Sequence, residues 1–223
     1  TKFPNGILSL VSDSFDLWRV LTDYLPKLKE LIMSRNGKLV IRPDSGDPVN
    51  IICGKGSWDY YQDWKTYNKF ASEGKIKEKL VSESEFKGVI ELLWDIFGGT
   101  INEQGYKVLD SHIGMIYGEA INQDNIQEIF SRLEAKGFAA TNCFFGQGSF
   151  SMQYVTRDTW GMALKCIAQQ RNGKLVEIFK DPITDSGIKK SAKGLTVVYK
   201  NETGEYYLKD QATIEEVLSE NNE

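Results

Sequence analysis

Four stretches of the 223-residue chain place chemically capable side chains where an apolar run finishes. Asp13 follows Val11-Ser12, and Arg42 and Asp44 follow Lys38-Leu39-Val40-Ile41. Gly118 and Glu119 follow Tyr117, and Gly146-Gln147-Gly148-Ser149 follows Phe144-Phe145. An arginine beside a carboxylate can hold a phosphate and a hydroxyl together. Glycines there let backbone N–H groups approach anionic oxygens. Further along, Arg157, Lys165, Lys180, Lys189, Lys190 and Lys193 concentrate positive charge in a chain whose net charge is −4, which suits a ligand with several phosphates. Each feature also has a plainer reading, as an ordinary βα turn, a glycine turn or a solvated charge run.

The elements that must position these residues fall into two patterns. Residues 7–146 alternate apolar strands with amphipathic helices. Strands are expected at Ile7–Val11, Lys38–Ile41, 112–118 and 139–146. Helices are expected from Asp13 with an interruption at Pro26, over 84–97 with Ser82 or Ser84 as cap, and over 125–137. Strand–helix alternation predicts a parallel sheet or part of a barrel, whose C-terminal strand ends are where ligands bind. From about residue 160 the period changes to antiparallel hairpins, one around Asn172-Gly173 and one around Gly204, with a short helix led by Thr213. The expected domains are therefore 1–155, an α/β unit, and 156–223, antiparallel β. The aromatic-rich segment 54–83, with Trp58, Tyr60, Tyr61, Trp64 and Tyr67, is too long for a loop and is expected to form a helical excursion packed on the surface.

Composition excludes several classes. Hydrophobic content of 41% and charged content of 26% are those of a globular domain. An acidic balance argues against a nucleic-acid or membrane-surface binder, and no apolar run has the length of a membrane span. Cys53, Cys143 and Cys166 lack any paired spacing, which predicts three reduced, buried thiols in a cytoplasm-like compartment. His112, the sole histidine, begins an apolar strand without a triad or metal motif and reads as structural. The chain enters a strand almost at once and has no initiating methionine, as the middle of a longer protein would.

The motifs "VSDSFD", "IRPDSGDP", "GYKVLDSHIG…YGEAI", "GSFSMQYVTRD" and "EIFKDPITDSGIKKSAKG" occur in this order. Together they resemble the C-terminal part of the nicotinamide phosphoribosyltransferase family, in particular its bacterial and phage members. The resemblance implies a type II phosphoribosyltransferase fold, an α/β barrel beside a largely antiparallel sheet domain, assembled as a homodimer. It implies synthesis of nicotinamide mononucleotide from nicotinamide and 5-phosphoribosyl-1-diphosphate in NAD salvage, with Mg²⁺ on the diphosphate and ATP hydrolysis coupled through a phosphohistidine. By the same resemblance Arg42 and Asp44 meet the ribose and nicotinamide, and Gly118 and Glu119 meet the ribose hydroxyls, Glu119 standing where an aspartate is usual. Gly148 and Ser149 receive the 5′-phosphate, with Ser149 in place of a glycine of some members. Arg157, Lys165, Lys180 and Lys189 surround phosphate and diphosphate, and Asp13 orients the phosphate-accepting histidine. That histidine, the amide-reading aspartate and the ring-stacking aromatic are expected in a missing N-terminal half, so the chain alone is expected to be inactive. A nicotinate-using enzyme and a non-catalytic phosphate- or nucleotide-binding domain are the alternatives.

Overall fold

The computed structural model describes residues 2–55, 63–76, 79–118, 120–148, 153, 155, 157–184 and 190–219. They fall into two compact units, Thr1–Thr156 and Arg157–Glu223. The first runs β1 (Leu8–Val11), α1 (Leu17–Arg19), a π-helical turn (Val20–Tyr24), α2 (Leu25–Met33), β2 (Leu39–Arg42) and α3 (Pro48–Cys53). It continues with α4 (Trp64–Ser72), α5 (Glu83–Phe97), β3 (Gly99–Ile101), β4 (Lys107–Leu109), β5 (Ile113–Tyr117), α6 (Gln123–Ala135) and β6 (Cys143–Phe145).

Four strands form one parallel sheet in the order β1-β2-β5-β6. Each strand is laid on the same side of its predecessor, so every C-terminal strand end opens on one edge of the sheet. β5 lies inside the sheet and is apolar at nearly every position, as a strand covered on both faces must be. The helices bury Leu17, Leu21, Ile52, Leu93, Ile129 and Leu133 against Ile41, Ile113 and Met115. At about 1.5–3 kcal/mol for each fully buried large apolar side chain, this cluster is the main favourable term of the unit. The outer strands are different. Ile7, Leu10 and Val11 at β1, and Phe144 in β6, remain exposed.

Helix starts follow the expected chemistry. Ser82 caps α5 with a reciprocal box to Glu85, and Asn122 caps α6 in the same way with Asn125. Asp47 caps α3, where Pro48 occupies the first turn and has no N–H to lose.

Other expectations need correction. The helix is not broken at Pro26. It runs through, because the preceding turn widens to a π turn in which Leu25 N–H reaches Val20 O, and Pro26 then sits in the first turn of α2. The last strand is shorter than 139–146. Ala140–Asn142 is a 3₁₀ turn whose Asn142 side chain accepts from Leu109 N and donates to Lys107 O, each at 2.8 Å. That clip serves β4, which pairs with β3 in an antiparallel hairpin not foreseen from its short, turn-rich sequence. Within the segment 54–83, α4 does form, and Tyr67 is buried against Phe86 and Val81. Trp58, Tyr60 and Tyr61 lie outside the described residues.

The second unit contains two antiparallel pairs, β7 (Ala168–Arg171) with β8 (Lys174–Glu177), and β9 (Val197–Lys200) with β10 (Tyr206–Lys209). Asn172 and Gly173 both take positive φ, 53° and 75°, which a two-residue hairpin turn requires. Tyr199 and Tyr207 face each other in register and stack at 5.5 Å. α7 (Ile214–Leu218) is capped by Thr213. Among the described residues no helix is long and apolar enough to cross a membrane.

Candidate functional site

At the C-terminal edge of the parallel sheet, the tips of β1, β2, β5 and β6 come together. The β1 and β2 tips are joined first. Ser12 N donates to Arg42 O at 3.1 Å, and Arg42 N donates back to Ser12 Oγ at 3.3 Å. Asp13 follows and is wholly buried. Its Oδ2 accepts from Asp44 N at 2.8 Å and from the Ser45 hydroxyl. A buried carboxylate needs such donors, and here they come from a loop 31 and 32 residues away. Asp13 therefore staples the Arg-Pro-Asp-Ser-Gly loop to β1. Its second oxygen, Oδ1, is buried and has no hydrogen-bond partner among the described residues.

The staple leaves Arg42 and Asp44 paired across the top of the loop, Nη2 to Oδ1 at 3.2 Å, with their side chains 38% and 25% exposed. A half-exposed pair of this kind adds little to stability. It does set a guanidinium fork and a carboxylate side by side at the C-terminal edge of the sheet, where parallel α/β folds bind ligands. Two glycines make room for it. A methyl group on Gly118 would stand 3.0 Å from Arg42 Nε, and one on Gly146 would stand 3.2 Å from Gly118 Cα. The interlock is held by Tyr117, whose OH donates to Gly46 O at 2.8 Å and whose carbonyl accepts from Gly146 N at 2.8 Å.

The structure thus brings together Asp13, Arg42, Asp44 and Gly118, with Gly148 exposed on the loop after β6. Glu119, Ser149 and Lys189 lie outside the described residues. Arg157 begins a 3₁₀ turn in the second unit, and its side chain is likewise outside the description. Lys165 is exposed in that unit, and Lys180 is half-buried, its backbone exchanging bonds with Ser191 at 3.0 Å. Ser45 and Tyr117 were not singled out from sequence. Ser45 stood inside a quoted motif, whereas a tyrosine ending an apolar strand carries no local signal of a bond formed 71 residues away.

His112 sits at the opposite end of β5 from Gly118, its Nδ1 2.7 Å from Asp110 Oδ1. Burial works to raise the Asp110 carboxyl, but the His112 N–H and ring, helped by Lys38, hold it below the ordinary carboxylate range. This is a strand-entry clamp, as the structural reading of His112 expects. Cys53 and Cys143 are buried, but Cys166 is exposed, which corrects the expectation of three buried thiols. Residues 161–166 are all exposed, and the Cys166 thiol shares that exposure. Among the described residues no three His, Cys, Asp or Glu side chains are grouped to hold a metal ion.

Comparison with known proteins agrees with the motif reading. The profile of the Nicotinate phosphoribosyltransferase (NAPRTase) family matches residues 1–217. The nicotinamide phosphoribosyltransferase of Acinetobacter baylyi is 46% identical over 208 residues, covering 91% of this chain and 37% of that protein. The nicotinamide phosphoribosyltransferase of Mycoplasma pneumoniae is 39% identical over 185 residues, covering 82% of this chain and 36% of that protein. A third, from Xanthomonas campestris pv. campestris, is 35% identical over 205 residues. The chain spans little more than a third of the length of these relatives.

Proposed function

The chain belongs to the nicotinate phosphoribosyltransferase family, and from that premise we propose that it is the C-terminal portion of an enzyme that makes nicotinamide mononucleotide. The reaction breaks the bond between the ribose anomeric carbon and diphosphate and forms a bond from that carbon to the pyridine nitrogen. The electron pair of the broken bond leaves with diphosphate, and the nitrogen lone pair forms the new one. Positive charge builds on the ribose as diphosphate departs, as at other glycosidic centres. Asp44, together with Glu119, supplies negative charge to the ribose. Arg42 supplies donors to substrate oxygens, and the glycine loop with Gly148 and Ser149 receives the 5′-phosphate. Arg157, Lys165, Lys180 and Lys189 neutralise phosphate and diphosphate.

The single observation that carries this reading is the Arg42–Asp44 pair, held at 3.2 Å over two glycine strand tips by a buried carboxylate staple. Mg²⁺ would accompany the donor in this scheme and would neutralise part of the charge of the leaving diphosphate. ATP hydrolysis is coupled through a histidine of the remaining polypeptide. Asp13, by the family resemblance, orients that ring. The four parallel strands form an arc of a barrel that the remainder closes, and the full enzyme is a homodimer working in a reducing, cytoplasm-like compartment. Exposed Ile7, Leu10 and Val11 at the outer edge of β1 support the missing strands.

Nicotinamide is preferred to nicotinate because the similar relatives carry that name, although the family takes its own from nicotinate. The test is mononucleotide synthesis by the full-length enzyme with 5-phosphoribosyl-1-diphosphate, Mg²⁺ and ATP, offering nicotinamide and nicotinate separately. Product from nicotinamide at a kcat/KM above that for nicotinate supports the reading. The reverse preference selects the nicotinate enzyme, and no product from either leaves a phosphate-binding domain.

A further inference from the structure

We infer that Tyr117 is the positioning residue of this site, setting where the Arg42–Asp44 pair stands relative to the glycine tips. The link to catalysis rests on the proposed reaction, whereas the positioning itself does not. The Tyr117 ring is wholly buried in the strand that β2 and β6 flank. A phenylalanine would fill the same volume with no polar atom to satisfy. A hydroxyl buried there is destabilising unless bonded, and the bond it makes is to Gly46 O at 2.8 Å. Gly46 is the one residue of the Asp44-Ser45-Gly46 turn that the Asp13 staple does not reach by a described bond. Asp44 N and Ser45 Oγ are bonded to Asp13 on the β1 side, and Gly46 O is bonded to Tyr117 on the β5 side. The turn is therefore pinned on both flanks.

Tyr117 also bonds through its backbone to the other half of the site. Its carbonyl accepts from Gly146 N, in register with Phe145. The next residue, Gly118, is the one against which Arg42 lies, with no room for a methyl group. One residue thus sets the spacing of the arginine loop, the glycine strand tip and the following glycine loop. Displacements of about 1 Å at such a site can change rate by up to about a hundredfold, so a spacing residue need not touch substrate to affect turnover.

The test uses the full-length enzyme carrying Tyr117→Phe, which removes the hydroxyl and keeps the ring and the backbone bond to Gly146. Amide exchange at residues 44–47 is expected to quicken about tenfold while β5 stays protected. The kcat/KM for mononucleotide synthesis is expected to fall about tenfold, carried by KM for the ribosyl donor. Because the Tyr117 hydroxyl acts through the turn that carries Asp44, adding Tyr117→Phe to Asp44→Ala should cost less than about twofold more. Unchanged exchange in the turn, or losses that multiply in the double variant, would overturn the inference. A lowered Tm with kcat/KM retained would overturn it too, by reducing Tyr117 to a packing residue. If the unmodified enzyme makes no mononucleotide, the proposed reaction has failed, and exchange in the turn alone decides the positioning role.

Discussion

Gly118 lies against the Arg42 side chain so closely that a methyl group on its Cα would stand 2.7 Å from Nη2, and 3.1 Å from Asp44 Oδ1. The pair at the C-terminal edge of the sheet therefore exists in its present place only because residue 118 has no side chain.

Gly118→Ala is the sharpest test of that relationship. The added methyl must push Arg42 aside, since the Gly118 backbone belongs to a strand tip packed on Gly146. Synthesis by the full-length enzyme should fall about a hundredfold, in line with the sensitivity of such sites to displacement. Tm should drop only a few degrees, because the displaced guanidinium is partly exposed. Wild-type kinetics in this variant would remove the pair from the site.

Arg42→Ala and Asp44→Ala, made separately in the full-length enzyme, should each lower synthesis at least about tenfold, the usual scale for losing a charge-stabilising group. Folding should persist, since neither side chain is buried in the core. Circular dichroism with steady-state kinetics checks both halves of the expectation. Activity equal to the unmodified enzyme in both variants would sink the assignment.

The 223-residue chain alone is expected to be catalytically inert and to associate. Its β1 edge carries Ile7, Leu10 and Val11, and a groove of about 530 Å³ runs between β1 and α1–α2, with Phe15, Tyr24 and Leu28 along it. Apolar surface beside an unpaired strand edge favours pairing with another chain. Size-exclusion chromatography should show oligomers, or a tight complex with the separately expressed N-terminal half that restores turnover. A monomer that makes mononucleotide unaided would contradict both expectations.

Thiol reactivity should separate the three cysteines. Burial pushes the Cys53 thiol up to about 12 and raises Cys143 as well. A raised thiol pKa means the neutral, unreactive form persists through pH 8 and the thiolate appears only in strong alkali. Iodoacetamide at pH 8 should therefore label Cys166 alone in the folded protein and all three in denaturant. Mass spectrometry of the peptides reads this directly, and rapid labelling of Cys53 in the fold would count against the buried environment.

Lys136 tests the core behind the site. Its side chain is 3% exposed, and its ammonium pairs with Glu91 at 2.8 Å and donates to Lys87 O. Burial lowers its pKa, and Glu91 works against that lowering. Glu91→Ala would remove the carboxylate that stands 2.8 Å from this buried ammonium. We expect about 2 kcal/mol of lost stability, below the value for a fully enclosed pair because Glu91 is 23% exposed. Urea unfolding of the full-length enzyme measures it.

How much of this was readable beforehand differs by element. Local chemistry was reliable where it acts within a few residues. Ser82 and Thr213 cap their helices, and Asn172-Gly173 turns its hairpin, because caps and turns are settled by side chains and φ preferences nearby. Apolar runs marked the four parallel strands, and the residues at their tips marked Arg42, Asp44, Asp13 and Gly118 as candidates. Pro26 reads locally as a helix break because its missing N–H is visible in sequence, whereas the π turn that absorbs it is not.

Local sequence places particular residue types at the strand ends, and five ordered motifs point to the family. Only the tertiary structure decided how they meet. Asp13 reaches Asp44 and Ser45 across 31 and 32 residues, Tyr117 reaches Gly46 across 71, and Gly118 yields its space to Arg42. Those contacts follow from which strands are neighbours in the sheet. Strand order is fixed by how all the apolar faces are buried together, a property that no local stretch of residues contains.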